Sequence, residues 1–73
     1  MALSDSIVRL LRVLYVEDDA LSMCELRKLL GYSDRTIFSS VAKALQKGYV
    51  IRVGRGRYKI TRKGKTLVEL LET

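Results

Sequence analysis

Two helical patterns meet across three residues, Gly31-Tyr32-Ser33, and this spacing constrains the chain more than any other feature. Leu26, Leu29 and Leu30 give the first pattern an apolar face expected to point inward. Gly31 is its natural stop, because glycine takes the left-handed conformation at a helix end at little cost. Ser33 suits the cap of the second helix, and Asp34 suits the positive end of its dipole. Two helices separated by a short turn around a glycine form a helix-turn-helix arrangement.

The remaining elements follow with short gaps, and the 73 residues are read as one domain, 1–73. A first helix is expected from Ser4, a candidate N-cap, to about Val16. Ile7, Leu10, Leu11 and Leu14 form its apolar stripe. Val8, Val13, Tyr15 and Val16 lie off that stripe, so the helix is expected to bury two faces, the second against the C-terminal helix or another subunit. Glu17-Asp18-Asp19 is a polar break. Ser22 and Glu25 have the spacing of a capping box, and Leu21 with Leu26 that of a hydrophobic staple.

In the second helix of the pair, Ile37, Ser40, Val41, Ala44 and Leu45 gather on one side at about 100° per residue. Arg35, Ser39, Ala42, Lys43 and Gln46 gather on the other, with Thr36 near their edge. Phe38 lies on the remaining boundary, open between helix packing and a partner surface. Tyr49–Val53 and Tyr58–Thr61 alternate as strands around Gly54-Arg55-Gly56, a tight connection. Tyr49 and Tyr58 are read as core residues. Thr61 is expected to cap a last helix with Leu67, Leu70 and Leu71 inside, and Gly64 in its first turn is read as a mild cost.

The charge is segregated. The net charge is +6, but residues 27–65 hold twelve cations against Asp34 alone. Such a block is the electrostatic footprint of a polyanion site. The chain has one cysteine and no histidine. That excludes an internal disulfide, a Cys/His metal cluster and a Ser-His or Cys-His nucleophile pair. Cys24 is read as a small half-buried apolar residue. The three carboxylates at 17–19 fall in a solvated loop, so no enzyme and no cofactor is expected. No apolar run nears the roughly 20 residues of a membrane span. No signal peptide is apparent at the N-terminus, so a cytoplasmic, nucleoid-associated protein is expected.

The run LGYSDRTIFSSVAKALQKGYVIR resembles the second and third helices of bacterial and archaeal winged helix-turn-helix regulators of the MarR/PadR-like type. Leu30, Gly31, Ser33, Thr36, Ile37, Val41, Gly48, Tyr49 and Val50 stand in matching places. Ala44 departs from the pattern, where leucine is usual, with Leu45 beside it to fill the gap. YKITRKG at 58–64 is similar to the family's closing strand and helix start. The resemblance implies an α+β, mostly α, winged helix: three core helices, a two-stranded wing, a short extra strand at Ala20-Leu21 and a C-terminal helix. It implies that the third helix reads double-stranded DNA and that the hairpin lies along a neighbouring backbone or minor groove.

The residues expected at DNA are Ser33, Arg35, Thr36, Ser39 and Lys43 from the helix, and Arg52, Arg55, Arg57 and Lys59 from the wing. Arginine, serine and lysine suit base edges and phosphates. Arg55 at the hairpin tip suits a narrow minor groove. The first and last helices are the expected homodimer surface. The function expected is a sequence-specific transcriptional regulator. Architectural coating of DNA, RNA binding and a protein–protein module are the alternatives.

Overall fold

The computed structural model describes residues 5–72. The elements run α1 (Asp5–Glu17), β1 (Leu21–Ser22), α2 (Met23–Leu30), α3 (Asp34–Lys47), β2 (Val50–Val53), β3 (Arg57–Ile60) and α4 (Arg62–Glu72). The three strands form one antiparallel sheet in the order β1-β3-β2. The winged helix-turn-helix expected from the sequence is the fold observed. The extra strand is displaced by one residue from the expected Ala20-Leu21, and the expected cap at Ser4 lies outside the described residues.

Helix α1 is the centre of the core. Its stripe of Ile7, Leu10, Leu11 and Leu14 is fully withdrawn from water and meets Leu26 of α2, Ile37, Val41 and Ala44 of α3 and Val68 of α4. The sheet adds Leu21, Val50, Tyr58 and Ile60. The polar break after α1 is a built turn. Asp18, at φ 50, donates its N–H to the Leu14 carbonyl at 3.0 Å. The Asp19 carboxylate accepts the Ala20 N–H at 2.7 Å.

The start of α2 is fixed as its spacing requires. Ser22 Oγ accepts the Glu25 N–H at 3.2 Å, and Glu25 Oε1 accepts the Ser22 N–H at 2.9 Å. Gly31 closes the helix at φ 71 with its N–H on the Arg27 carbonyl at 2.8 Å, a backbone state that any other L-residue adopts only with strain. Only Leu26 of α2 is buried, and Leu30 is half-buried. Leu29 is 51% exposed, against expectation, because it lies about 60° round the helix from Leu26, past the cover of α1 and α3. It lines a shallow depression with Arg12, Val13, Val16 and Glu17. Cys24 is exposed rather than half-buried.

Two more expectations change in the second half. Ala44 is itself in the core and Leu45 stays 37% exposed, so Leu45 does not fill the place of a missing leucine. In α4 the buried residues are Gly64 and Val68, while Leu67 is half-buried and Leu70 and Leu71 face outward. The cause is Gly64. A Cβ there would run into the Tyr49 carbonyl oxygen and come within 2.7 Å of Ile60 Cγ1. Gly64 therefore permits α4 to lie directly on the β2 entrance, and this close approach sets which face of α4 turns inward. Thr61 caps the helix, its Oγ1 accepting the Gly64 N–H at 3.1 Å and donating to the Gly48 carbonyl at 2.7 Å. Along the seam between α1 and α4, Tyr15 donates to Glu69 at 2.7 Å, Arg12 pairs with Glu72 at 2.9 Å, and Lys65 reaches Asp18 at 3.2 Å.

Candidate nucleic-acid interface

The exposed arc of α3 carries Arg35, Ser39 and Lys43, as the periodicity predicts. They converge with Thr36, the buried Ser40 and Ser6 of α1 on a shallow depression of about 250 Å³. Its lining is hydroxyls and cations, with no carboxylate. Ser6 was not legible as a site residue, because nothing in local spacing ties residue 6 to residue 35; the packing of α1 across α3 puts it there. Such a surface offers donors to anionic oxygens and to base edges.

Ser33 and Thr36 serve the helix first. Ser33 is the N-cap of α3, its Oγ accepting the Thr36 N–H at 3.3 Å and lying 3.0 Å from Thr36 Oγ1. A hydroxyl so engaged still has a lone pair or proton to offer outward, and Ser33 is exposed while Thr36 is half-buried. Asp34, the one carboxylate of the cationic block, is held by Arg27 of α2 at 3.1 Å. Both side chains are mostly exposed, so the pair adds little stability. It does mask the lone negative charge beside Arg35.

The wing is the β2–β3 hairpin. Directly opposed residues of an antiparallel pair share a face of the sheet. Arg52 opposes Tyr58, which in turn opposes Leu21, so Arg52 lies on the core side of the sheet, beyond the packed helices. Lys59 opposes Ile51 and Arg57 opposes Val53, so these two cations lie on the outer side. The four wing cations expected at DNA are all exposed but do not form one row. Arg55 stands at the tip between Gly54 and Gly56, both at positive φ. Arg57 also faces Glu25. The capping bond from the Ser22 N–H, helped by the Ser22 hydroxyl and by the Arg57 charge, holds the Glu25 carboxyl below the ordinary carboxylate range.

Among the described residues no helix is long and apolar enough to cross a membrane. Comparison with curated proteins finds no match. Solved structures do match. MarR of E. coli in its reduced form gives a TM-score of 0.87 at 18% identity, over 96% of this chain and 52% of that one. MepR of Staphylococcus aureus, a transcription regulator of the multidrug efflux pump MepA, gives 0.85 at 21% identity, over 96% and 56%. F-93 of SSV1 gives 0.70 at 24% identity, over 99% and 91%. The chain spans about half the length of the MarR and MepR chains. These likenesses establish the fold. A family model described as the N-terminal domain of the methanogenesis regulatory protein FilR1 matches residues 1–73. The chain belongs to this family of regulator N-terminal domains, and its fold is the winged helix-turn-helix.

Proposed function

We propose that the domain binds double-stranded DNA with sequence preference and regulates transcription by occupying its site. Helix α3 enters the major groove and presents Arg35, Ser39 and Lys43, with Ser33 and Thr36 toward phosphates at its N-terminal end. The wing follows the adjacent backbone, with Arg55 in the minor groove and Arg52, Arg57 and Lys59 on phosphates. The observation that carries this reading is the carboxylate-free depression on α3. It sits inside a block of twelve cations whose one acid, Asp34, is masked by Arg27. A solvated surface needs no such segregation of sign.

The reading includes a homodimer through α1 and α4. Val16 is 78% and Leu70 68% exposed, with Leu71 also outward. Val16 borders a largely apolar depression of about 450 Å³ between these helices, rimmed by Arg12, Tyr15, Glu69 and Glu72. Two-fold DNA binders place paired reading helices about one turn of duplex apart. A cytoplasmic, nucleoid-bound protein follows from this reading.

The test is a fluorescence-anisotropy titration against a random duplex pool, at low and physiological salt, with sequencing of the bound fraction. A short enriched motif that survives physiological salt supports the reading. Binding that disappears with salt and enriches nothing means coating instead. No binding at low salt removes the nucleic-acid reading and leaves the protein–protein module.

A further inference from the structure

Phe38 stands 66% exposed in the first half of α3. It belongs neither to the buried core nor to the partly buried apolar set packed against it. A solvent-facing phenyl ring leaves unused the stabilisation that burial of so large an apolar side chain provides. Its neighbours make its position informative.

The helix period sorts the exposed arc of α3 into two flanks. With Ile37 taken as the centre of the buried side, Arg35 lies about 160° away, nearly opposite the core. Ser39 and Lys43 continue from Arg35 toward the polar depression that Ser6 closes. On the other flank stand Phe38 and Ala42, about 100° and 140° from Ile37, with the half-exposed Leu45 beyond them. Arg35 and Phe38 are i, i+3 neighbours, and Phe38 and Ala42 are i, i+4 neighbours, so the three side chains form one contiguous surface. The arc is therefore amphipathic at right angles to the core: a cation in the middle, hydroxyls and lysine on one side, an apolar edge on the other.

A partner covering Phe38 must also satisfy Arg35 beside it, within a segment whose charge calls for a polyanion. The major groove offers both together. Its apolar feature is the thymine C5 methyl, and aromatic and alanine side chains contact that group while arginine takes guanine O6 and N7. We infer that Phe38 is a specificity-determining contact for a thymine methyl lying within one or two base pairs of the guanine that Arg35 reads. The separation follows from the helix: three residues rise about 4.5 Å, close to one base step. The inference rests on the reading that α3 enters the major groove, and names what its apolar flank recognises there.

The experiment removes the methyl alone. In the duplex enriched from the random pool, each thymine is replaced singly by deoxyuridine, which lacks only the C5 methyl. Affinities are measured for the wild type, Phe38→Ala and Arg35→Ala. Circular dichroism checks that each variant is folded, and the exposure of Phe38 makes its replacement structurally mild. The expected result is a loss of about fourfold at one thymine position for the wild type, the factor that burying one methyl contributes. Phe38→Ala is expected to bind the thymine and deoxyuridine duplexes equally, while Arg35→Ala still distinguishes them. Insensitivity of the wild type to every deoxyuridine overturns the inference and leaves DNA binding intact. Sensitivity that persists in Phe38→Ala overturns the assignment to this residue. A Phe38→Ala that binds all sequences like the wild type but changes self-association by sedimentation assigns the ring to a protein surface and overturns it too. Failure of the wild type to bind any duplex removes the functional reading and this inference together.

Discussion

Single residues set limits that composition hides. Gly64 is the clearest. On helix propensity alone, Gly64→Ala gains about 1 kcal/mol. The added Cβ would meet the Tyr49 carbonyl and the Ile60 side chain, and forcing extra volume into such a contact costs about 1–3 kcal/mol. Backbone cannot swing aside as a flexible side chain can, so Gly64→Ala is expected to lower the urea midpoint; a raised midpoint would refute the contact. Glu25 makes a second case. Its folded carboxyl titrates below the ordinary value of 4.5, chiefly because it accepts the Ser22 N–H. A depressed folded pKa gives stability that is present above the unfolded value and lost as pH falls through the folded one. Urea midpoints measured on the acid side of pH 4.5 should therefore fall less for Glu25→Gln than for the wild type. Parallel curves would detach the cap from acid sensitivity. The cap was legible because its chemistry is local, at residues 22 and 25. The role of Gly64 was not, because it depends on a carbonyl fifteen positions earlier.

At the scale of elements, periodicity identified every helix but not always its covered face. In α1 and α3 the buried residues are the expected stripes, apart from Leu45, because neighbours surround each helix on a broad side. In α2 and α4, Leu29, Leu70 and Leu71 follow helical spacing yet face outward. A stripe says which residues share a face, not whether a neighbour covers it. The wing has the same limit: alternation located its strands, but only the pairing register separates Arg52 from Arg57 and Lys59. The wing and the reading helix are expected to behave differently on mutation. Arg52→Ala should weaken all sequences alike and reduce the slope of log affinity against log salt by about 1. Arg57→Ala should do the same. Arg35→Ala should cost about 1–3 kcal/mol on the preferred sequence and little on others. Equal losses on every sequence for Arg35→Ala would sink its reading role. Anisotropy titrations across a salt series measure all three.

For the whole molecule, the apolar residues left outside on α1 and α4 are the ones a second copy can cover. Sedimentation at tens of micromolar protein is expected to give a dimer, and Leu70→Glu a folded monomer with weaker binding to a two-half-site duplex. A wild-type monomer at that concentration would remove the two-fold arrangement. The junction between α3 and α4 bears on how such an assembly would work. Tyr49 donates its N–H to the Ala44 carbonyl at 2.9 Å, Thr61 donates its own to the Tyr49 carbonyl at 2.9 Å, and the Thr61 hydroxyl holds the Gly48 carbonyl. With Gly64 packed against the same Tyr49 carbonyl, the end of α3 and the first turn of α4 are tied by adjoining contacts. A displacement of α4 is therefore expected to carry the end of α3 with it, and a partner held on α4 would bias the tilt of the helix proposed to read DNA.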